Sequence, residues 1–186
     1  MLNAINEEFR SHLDVINKVI NSMENDIEKN YLYKIEEFEF IDGVFESLSY
    51  LQNLGYKLVI ITNQSGIGRG YYTQEQYNKL TVWLKKRFQE KNINISEVFC
   101  CPHAPNEECN CRKPKTGMIE EAAKILDIDY KNSWLIGDKS SDIQTAINAN
   151  IPNTIQVKTG HTFDEKSSKA SYIINSIKQI DTIIKS

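Results

Sequence analysis

The chain has 186 residues, which is enough for one domain with a substantial hydrophobic core. Its composition, 40% hydrophobic and 25% charged, is ordinary for a globular protein, and its net charge of -3 argues against a surface that binds nucleic acid. The longest purely aliphatic run, at 58–61, is too short to span a membrane, and the N-terminus has no apolar signal core. We therefore expect a cytoplasmic protein, monomeric by default, with neither a nucleic-acid nor a membrane partner.

The first 30 residues have a helical periodicity and contain neither Gly nor Pro. Apolar side chains recur at steps of three and four residues, at Leu2, Ile5, Phe9, Leu13, Ile16, Ile20, Met23 and Ile27. This spacing is typical of an amphipathic helix. It predicts an atypical helical segment over 1–30, distinct from a domain over 31–186.

Beyond residue 31, predicted strands alternate with predicted helices, which is typical of a parallel α/β sheet. The predicted strands are 57–62, 96–101, 133–136, 154–158 and 172–174. The predicted helices are 44–54, 73–91, 116–126 and 140–150, with a last helix at the C-terminus. Thr73 and Gln76 have the spacing of a capping box, and Gly55 is a stop signal after the first of these helices. The expected fold is a three-layer, Rossmann-like parallel sheet with helices on both faces.

Polar residues follow one buried strand directly, at the edge where ligands bind in open α/β sheets. These residues are Thr62, Asn63, Gln64 and Ser65. A hydroxyl beside backbone N–H groups suits a phosphoryl oxygen, but Asn and Ser also favour ordinary turns. The segment alone leaves both interpretations open.

A second predicted strand ends at Asp138, where a carboxylate is costly unless it is paired or bound to a metal. Asp142 follows one helical turn later, toward the same side. Such carboxylates suit Mg²⁺, which proteins hold with one or two carboxylates plus phosphate and water. Helix capping is the alternative, and it explains Ser140 and Ser141 better than it explains Asp138. Arg112 and Lys113 could clamp a phosphate, although an isolated basic pair is usually solvated.

All four cysteines lie between Cys100 and Cys111. Cys101 and His103, then Cys109 and Cys111, supply three thiolates and one imidazole. Four N/S ligands match a closed, tetrahedral, structural zinc site, in place of a disulfide framework or incidental surface cysteines. Cys100 is left over, and we expect it to face the core.

The order of these segments resembles the haloacid-dehalogenase (HAD) superfamily, and more narrowly its bacterial heptose-1,7-bisphosphate phosphatases, which are related to histidinol-phosphate phosphatases. The resemblance runs from about residue 31 to the C-terminus. Its matching segments are Phe38-Glu-Phe-Ile-Asp-Gly43, Thr62-Asn-Gln-Ser-Gly-Ile-Gly-Arg-Gly70, Cys101-Pro-His103, Cys109-Asn-Cys-Arg-Lys-Pro114 and Gly137-Asp-Lys139.

The resemblance implies a HAD-like phosphatase that removes the 7-phosphate of D-glycero-D-manno-heptose 1,7-bisphosphate, in the synthesis of nucleotide-heptoses for surface glycans. Thr62 and Lys113 would be catalytic: Thr62 would steady the transferring phosphoryl group and Lys113 would neutralise its charge. Arg112 would recognise the substrate. The other implied substrate contacts are Asn63, Gln64 and Ser65.

The resemblance also implies two metal ions. Asp138 and the backbone of Lys139 would hold Mg²⁺, with Asp142 as a further candidate ligand. The implied ligands of a structural Zn²⁺ are Cys101, His103, Cys109 and Cys111.

The nucleophile of this family is missing from the sequence. The family begins with a central strand that ends in Asp-x-Asp-Gly, where the first Asp attacks phosphorus, but no Asp-x-Asp occurs in residues 1–30. Counting back without gaps from Tyr31 puts the two positions at Ile20 and Ser22. The segment Leu13-Asp-Val-Ile-Asn17 resembles the family's strand end with three residues deleted, which makes Asp14 the candidate nucleophile. Either these residues form a strand despite their periodicity or the N-terminus is rearranged, since the neighbouring strands need a partner.

Three functions are therefore compatible with the sequence. The first is the magnesium-dependent heptose-bisphosphate phosphatase, inactive in this exact chain if no nucleophile is present. The second is a non-catalytic protein that binds sugar phosphates. The third is a phosphatase that acts on histidinol phosphate.

Overall fold

A computed structural model of the protein describes residues 13–16 and 34–185. The strands are β1 (Leu13–Ile16), β2 (Lys57–Asn63), β3 (Ile95–Cys101), β4 (Trp134–Gly137), β5 (Asn153–Val157) and β6 (Tyr172–Ile174). The helices are α1 (Val44–Asn53), α2 (Gln74–Gln89), α3 (Gly117–Ala123), α4 (Ser140–Asn148) and α5 (Ile180–Ile183). Short 3₁₀ turns occupy Ile35–Glu37, Glu165–Ser167 and Ile177–Gln179. The strands form one parallel sheet in the order β3-β2-β1-β4-β5-β6.

Strand β2 is buried on both faces because successive residues of a strand point to opposite sides of the sheet. Leu58 and Ile60 pack in one apolar cluster with α1, α2 and α5. Val59 and Ile61 pack in the other cluster, with α3 and α4. Full burial of each such side chain contributes about 1.5–3 kcal/mol to stability. The predicted three-layer architecture is confirmed.

The helix boundaries follow local signals in the sequence. The predicted capping box begins α2, where the N–H of Gln76 donates to Thr73 Oγ1 at 3.2 Å and the N–H of Thr73 donates to Gln76 Oε1 at 2.8 Å. Gly55 has a φ of +91° just after α1, a conformation that L side chains rarely adopt. None of the described helices is long and apolar enough to cross a membrane.

The helical prediction for the N-terminus is wrong at Leu13–Ile16. These residues form β1, which pairs in parallel with β2 on one side and β4 on the other. Without β1, the facing backbone groups of two central strands would be buried unpaired, and this cost outweighs a local helical periodicity. The rest of the predicted helix lies outside the described residues, and the predicted division at residue 31 stays a prediction.

Candidate active site

Two of the expected site residues stand at one level at the carboxyl edge of the sheet. Within the sheet, Asp14 of β1 pairs with Leu58 of β2 and with Trp134 of β4. Thr62 comes four residues after Leu58, and Asp138 comes four residues after Trp134. Because all three strands run in parallel, Thr62 and Asp138 reach the same level on either side of β1, where ligands bind in this fold class.

Asp14 stands far below that level. It pairs with Leu58, which is four residues short of Thr62, so its backbone lies about 13 Å down the strand. The register therefore argues against Asp14 as the nucleophile, because the attacking oxygen must contact the phosphoryl group held at the edge.

Lys113 is buried at the same edge. Its ammonium nitrogen Nζ donates to the carbonyl of Ile61 at 3.0 Å and lies 3.2 Å from Asp142 Oδ1, with 6% and 2% of the two side chains exposed. Burial lowers the pKa of Lys113, and the charge of Asp142 opposes that shift. Burial thus excludes the alternative of a solvated cation for Lys113, which brings a fixed positive charge to this edge of the sheet.

Asn63 holds the backbone of Lys113 in place. Its Oδ1 accepts the N–H of Lys113 at 3.1 Å, and its Nδ2 donates to the carbonyl of Lys113 at 3.4 Å. Gln64 is similarly engaged: its Nε2 donates to Thr62 Oγ1 at 3.1 Å, and the Tyr72 hydroxyl donates to its Oε1. These amides therefore order the catalytic candidates, which is a structural role that the sequence did not reveal.

Asp138 and Asp142 have different surroundings. Asp142 Oδ2 accepts the N–H of Lys139 at 3.0 Å, which caps α4, while its Oδ1 faces Lys113. Asp138 follows the strand tip and is 4% exposed. Because Asp142 is committed to the ion pair with Lys113 and to the cap of α4, Asp138 at the strand tip is the carboxylate suited to a hard cation such as Mg²⁺. The carbonyl of Lys139 accepts the N–H of Asp142 at 2.9 Å.

Glycines make room for both carboxylates. A Cβ on Gly137 would lie 2.5 Å from Asp142 Cβ, and a Cβ on Gly160 would lie 2.7 Å from Asp138 Cβ. Any side chain at either position would push a carboxylate out of place.

His161 is a site residue that the sequence analysis missed. Its ring nitrogen Nδ1 lies 2.6 Å from Asp138 Oδ2, and its backbone N–H donates to the same oxygen at 2.9 Å. The available signal was the polar run Thr159-Gly160-His161 just beyond β5, at the same edge of the sheet.

The expected metal-binding loop brings its four ligands together. One ligand atom from each of Cys101, His103, Cys109 and Cys111 lies within 4.8 Å of the others. The Cys101 sulfur is 3.7 Å from that of Cys109, and His103 Nδ1 is 3.2 Å from the Cys111 sulfur. Ligands about 2.0–2.3 Å from a tetrahedral zinc ion are separated by similar distances. Burial raises the pKa of the Cys101 thiol to about 12, so metal binding must displace its proton.

The Cys/His loop also supports the loop after β2. The N–H of Gln64 donates to the carbonyl of Cys101, and the N–H of Gly68 donates to that of Pro102, both at 2.8 Å. A Cβ on Gly68 would lie 2.5 Å from the nitrogen of Ala104, so the two loops are in close contact. Arg112 is anchored here too, since its Nη1 donates to the carbonyl of His103 at 3.4 Å. Ser65 is half-buried in the supported loop.

Replacing Lys113 by Met should lower the free energy of unfolding by about 3–5 kcal/mol. The substitution leaves the buried Asp142 carboxylate without its cation. Urea unfolding at neutral pH measures the loss. In the double variant Lys113→Met/Asp142→Asn the loss should be smaller, because Asn removes the charge and still accepts the N–H of Lys139. Equal losses in the two variants would contradict the ion-pair explanation.

Comparison with known proteins supports one family. A family model described as HAD-hydrolase-like matches residues 110–180. The chain is 43% identical over 175 residues to the D-glycero-alpha-D-manno-heptose-1,7-bisphosphate 7-phosphatase of Photorhabdus laumondii, covering 90% of this chain and 91% of the relative. It is 39% identical over 166 residues to the D-glycero-beta-D-manno-heptose-1,7-bisphosphate 7-phosphatase of Pasteurella multocida, covering 86% of this chain and 90% of the relative.

A solved structure has the same fold. The crystal structure of D,D-heptose 1,7-bisphosphate phosphatase from B. bronchiseptica, complexed with magnesium and phosphate, matches with a TM-score of 0.77 at 20% identity and covers 92% of this chain and 96% of that one. The resemblance found in the sequence is confirmed. With relatives this similar along nearly their whole length, the chain belongs to the heptose-1,7-bisphosphate 7-phosphatase family, a group of phosphoric monoester hydrolases within the HAD superfamily.

Proposed function

We propose that the site binds the 7-phosphate of D-glycero-D-manno-heptose 1,7-bisphosphate and is built for magnesium-dependent hydrolysis of that phosphate. The observation that carries the proposal is the meeting of Thr62, Lys113 and Asp138 at one edge of the sheet, beside the Cys/His loop. The names of the relatives supply the substrate. They favour neither histidinol phosphate nor a protein that only binds sugar phosphates.

Lys113 and Thr62 are the residues that we assign to the transferring phosphoryl group. Lys113 is fixed by Ile61, Asn63 and Asp142, so its charge needs no reorganisation when a phosphate arrives. A fixed charge in a site with little water stabilises developing negative charge far more than a solvated one does. The hydroxyl of Thr62, ordered by Gln64, is suited to donate to a phosphoryl oxygen.

Asp138, with the carbonyl of Lys139, is assigned to Mg²⁺. The buried carboxylate at a strand tip fits a small, hard cation that prefers oxygen ligands. When bound, the ion would neutralise negative charge on the phosphoryl oxygens. Asp142 is assigned to Lys113 and to the cap of α4, and we do not assign it to the metal.

Substrate recognition is assigned to Arg112 and to the loop after β2, including Ser65. Both are held by the Cys/His loop through the contacts described above. A zinc ion with four protein ligands has no open position for chemistry, so its assigned role is to shape this loop.

None of the residues that the structure describes is assigned as the nucleophile of the proposed site. No Asp-x-Asp occurs in residues 1–30, and Asp14 stands about 13 Å below the level of Thr62. We therefore infer that the chain as given keeps the site of a phosphatase, with turnover disabled by the loss of that motif.

Calorimetric titration with both anomers of the bisphosphate in the presence of Mg²⁺ tests the proposal. We expect binding, and affinity at least about 10-fold weaker in Arg112→Ala, since a lost hydrogen bond to a charged group costs about 1.5–3 kcal/mol. Arg87→Ala is the matched control, because Arg87 lies on the exposed surface of α2 and pairs with Glu90. Undetectable binding at millimolar ligand, or tighter binding of histidinol phosphate, would overturn the assignment.

A further inference from the structure

The segment after β5 is fitted closely to Asp138. We propose that His161 is a positioning residue, which fixes the orientation of the Asp138 carboxylate for its cation. The inference rests on the proposed function, because that function assigns Mg²⁺ to Asp138.

His161 gives Asp138 two hydrogen-bond donors on the same oxygen. The backbone N–H donates to Oδ2 at 2.9 Å, and Nδ1 of the ring lies 2.6 Å from it, which requires the Nδ1–H form of the ring. Both donors come from one residue, so the contact is rigid. Two fixed donors on a single oxygen restrict rotation of the carboxylate about its last side-chain bond.

The backbone of Asp138 is also held by a side chain of β5. Gln156, which is fully buried on β5, donates from Nε2 to the carbonyl of Asp138 at 3.3 Å. Its own Oε1 accepts the hydroxyl of Ser168 at 2.6 Å, which fixes the amide orientation. Gly160 completes the fit, because a Cβ there would lie 2.7 Å from Asp138 Cβ. The two donors of His161 and the close approach at Gly160 therefore act on the carboxylate itself, and Gln156 holds the backbone carbonyl of the same residue.

This arrangement is the one that a metal-ligating carboxylate needs. Hydrogen bonds from residues around a ligand orient it, and their removal typically weakens metal binding about 10- to 100-fold. His161 is half exposed, with 49% of its side chain accessible, so burial of an apolar surface does not explain its contact with Asp138. Its contribution is the orientation of Asp138.

Binding of Mn²⁺ as a probe, followed by the loss of the free-ion signal in electron paramagnetic resonance and by competition with Mg²⁺, tests this role without any need for turnover. We expect His161→Ala to weaken binding about 10-fold or more. His161→Asn should recover most of the affinity, because its side-chain amide can donate to Asp138 as Nδ1–H does. Gly160→Ala should also weaken binding, since the added Cβ displaces the carboxylate. Thr162→Ala, next along the same exposed loop, should bind as the unmodified chain does.

The possible failures are distinguishable. If the unmodified chain binds no Mn²⁺ at millimolar concentration, the proposed metal site fails and this inference fails with it. If the chain binds the ion and His161→Ala binds it equally well, the inference alone is overturned. The inference would also be overturned if Thr162→Ala weakened Mn²⁺ binding as much as His161→Ala does, or if His161→Asn recovered none of the lost affinity. Thermal melting of each variant shows that the molecules compared are folded.

Discussion

Restoring the aspartate motif to the first strand should raise the rate of phosphate release from heptose 1,7-bisphosphate by at least about 10⁴-fold. Removal of a nucleophile that works together with an acid–base partner lowers the rate of an enzyme on this scale. The variant inserts Ala-Asp-Gly after Asp14, which gives Leu-Asp-Ala-Asp-Gly. In it, Asp14 reaches the level of Thr62 if the strand slips by four residues. An even slip keeps each side chain on its original face of the sheet. Phosphate release with Mg²⁺, measured beside the unmodified chain, gives the ratio.

Two controls identify the source of any activity. Asp14→Asn in the restored chain should abolish turnover, because an amide does not form an acyl phosphate. Asp138→Asn in the restored chain should also abolish it, because a carboxylate assigned to Mg²⁺ is lost. Turnover by the unmodified chain that depends on Asp14 would overturn the argument from strand register. A restored chain that folds and binds the bisphosphate but releases no phosphate would contradict the proposed assignment of catalytic residues.

Much of the fold follows from local features of the sequence. The predicted strand at 57–62 differs from the observed strand, Lys57–Asn63, by only one residue. The agreement is close because an apolar run between Gly55 and a polar turn leaves little choice of strand boundaries. The start of α2 was equally well defined, since Thr73 and Gln76 satisfy each other within one turn. Such features need no information from distant parts of the chain.

The N-terminal strand was mispredicted because its stability comes from distant residues. Alone, Leu13–Ile16 belong to a helical pattern. In the fold, they fill the gap between β2 and β4, and hydrogen bonds along both edges decide the outcome. The sequence analysis did leave a strand open at Leu13-Asp-Val-Ile-Asn17, from the resemblance and from the neighbouring strands' need for a partner, and the sheet confirms that alternative at Leu13–Ile16.

The sequence predicted which residues would form the candidate site, but it did not predict which of their side chains would contact one another. The sequence singled out Asp138 because a carboxylate at a strand tip is costly unless it is paired or bound to a metal. It singled out the Cys/His cluster because four N/S ligands match a tetrahedral zinc site, and the resemblance supplied the role of Lys113. It did not show that Asp142 would pair with Lys113 or that His161 would hold Asp138. Those contacts join segments that are distant in sequence, and their partners are set by the register of the sheet.

Loss of the Cys/His cluster should have the second large effect, on stability and on the loop after β2. We expect Cys109→Ser to abolish the binding of about one zinc ion per chain and to lower the free energy of unfolding by about 4 kcal/mol, roughly 10 °C in melting temperature. Four protein ligands in contact in the fold suit a structural ion whose binding energy contributes directly to folding. Metal analysis of protein purified without chelator, with thermal melting, measures both.

Cys100→Ser is the matched control, because Cys100 neighbours Cys101 in sequence but lies outside the cluster among the described residues. It should keep its zinc. Hydrogen exchange measures the effect on the loop after β2. The amides of Gln64 and Gly68 donate to carbonyls of the Cys/His loop, so both amides should exchange faster in Cys109→Ser than in Cys100→Ser. No zinc in the unmodified protein would contradict the metal assignment. Unchanged exchange at Gln64 and Gly68 after zinc loss would show instead that the loop after β2 keeps its shape without the ion.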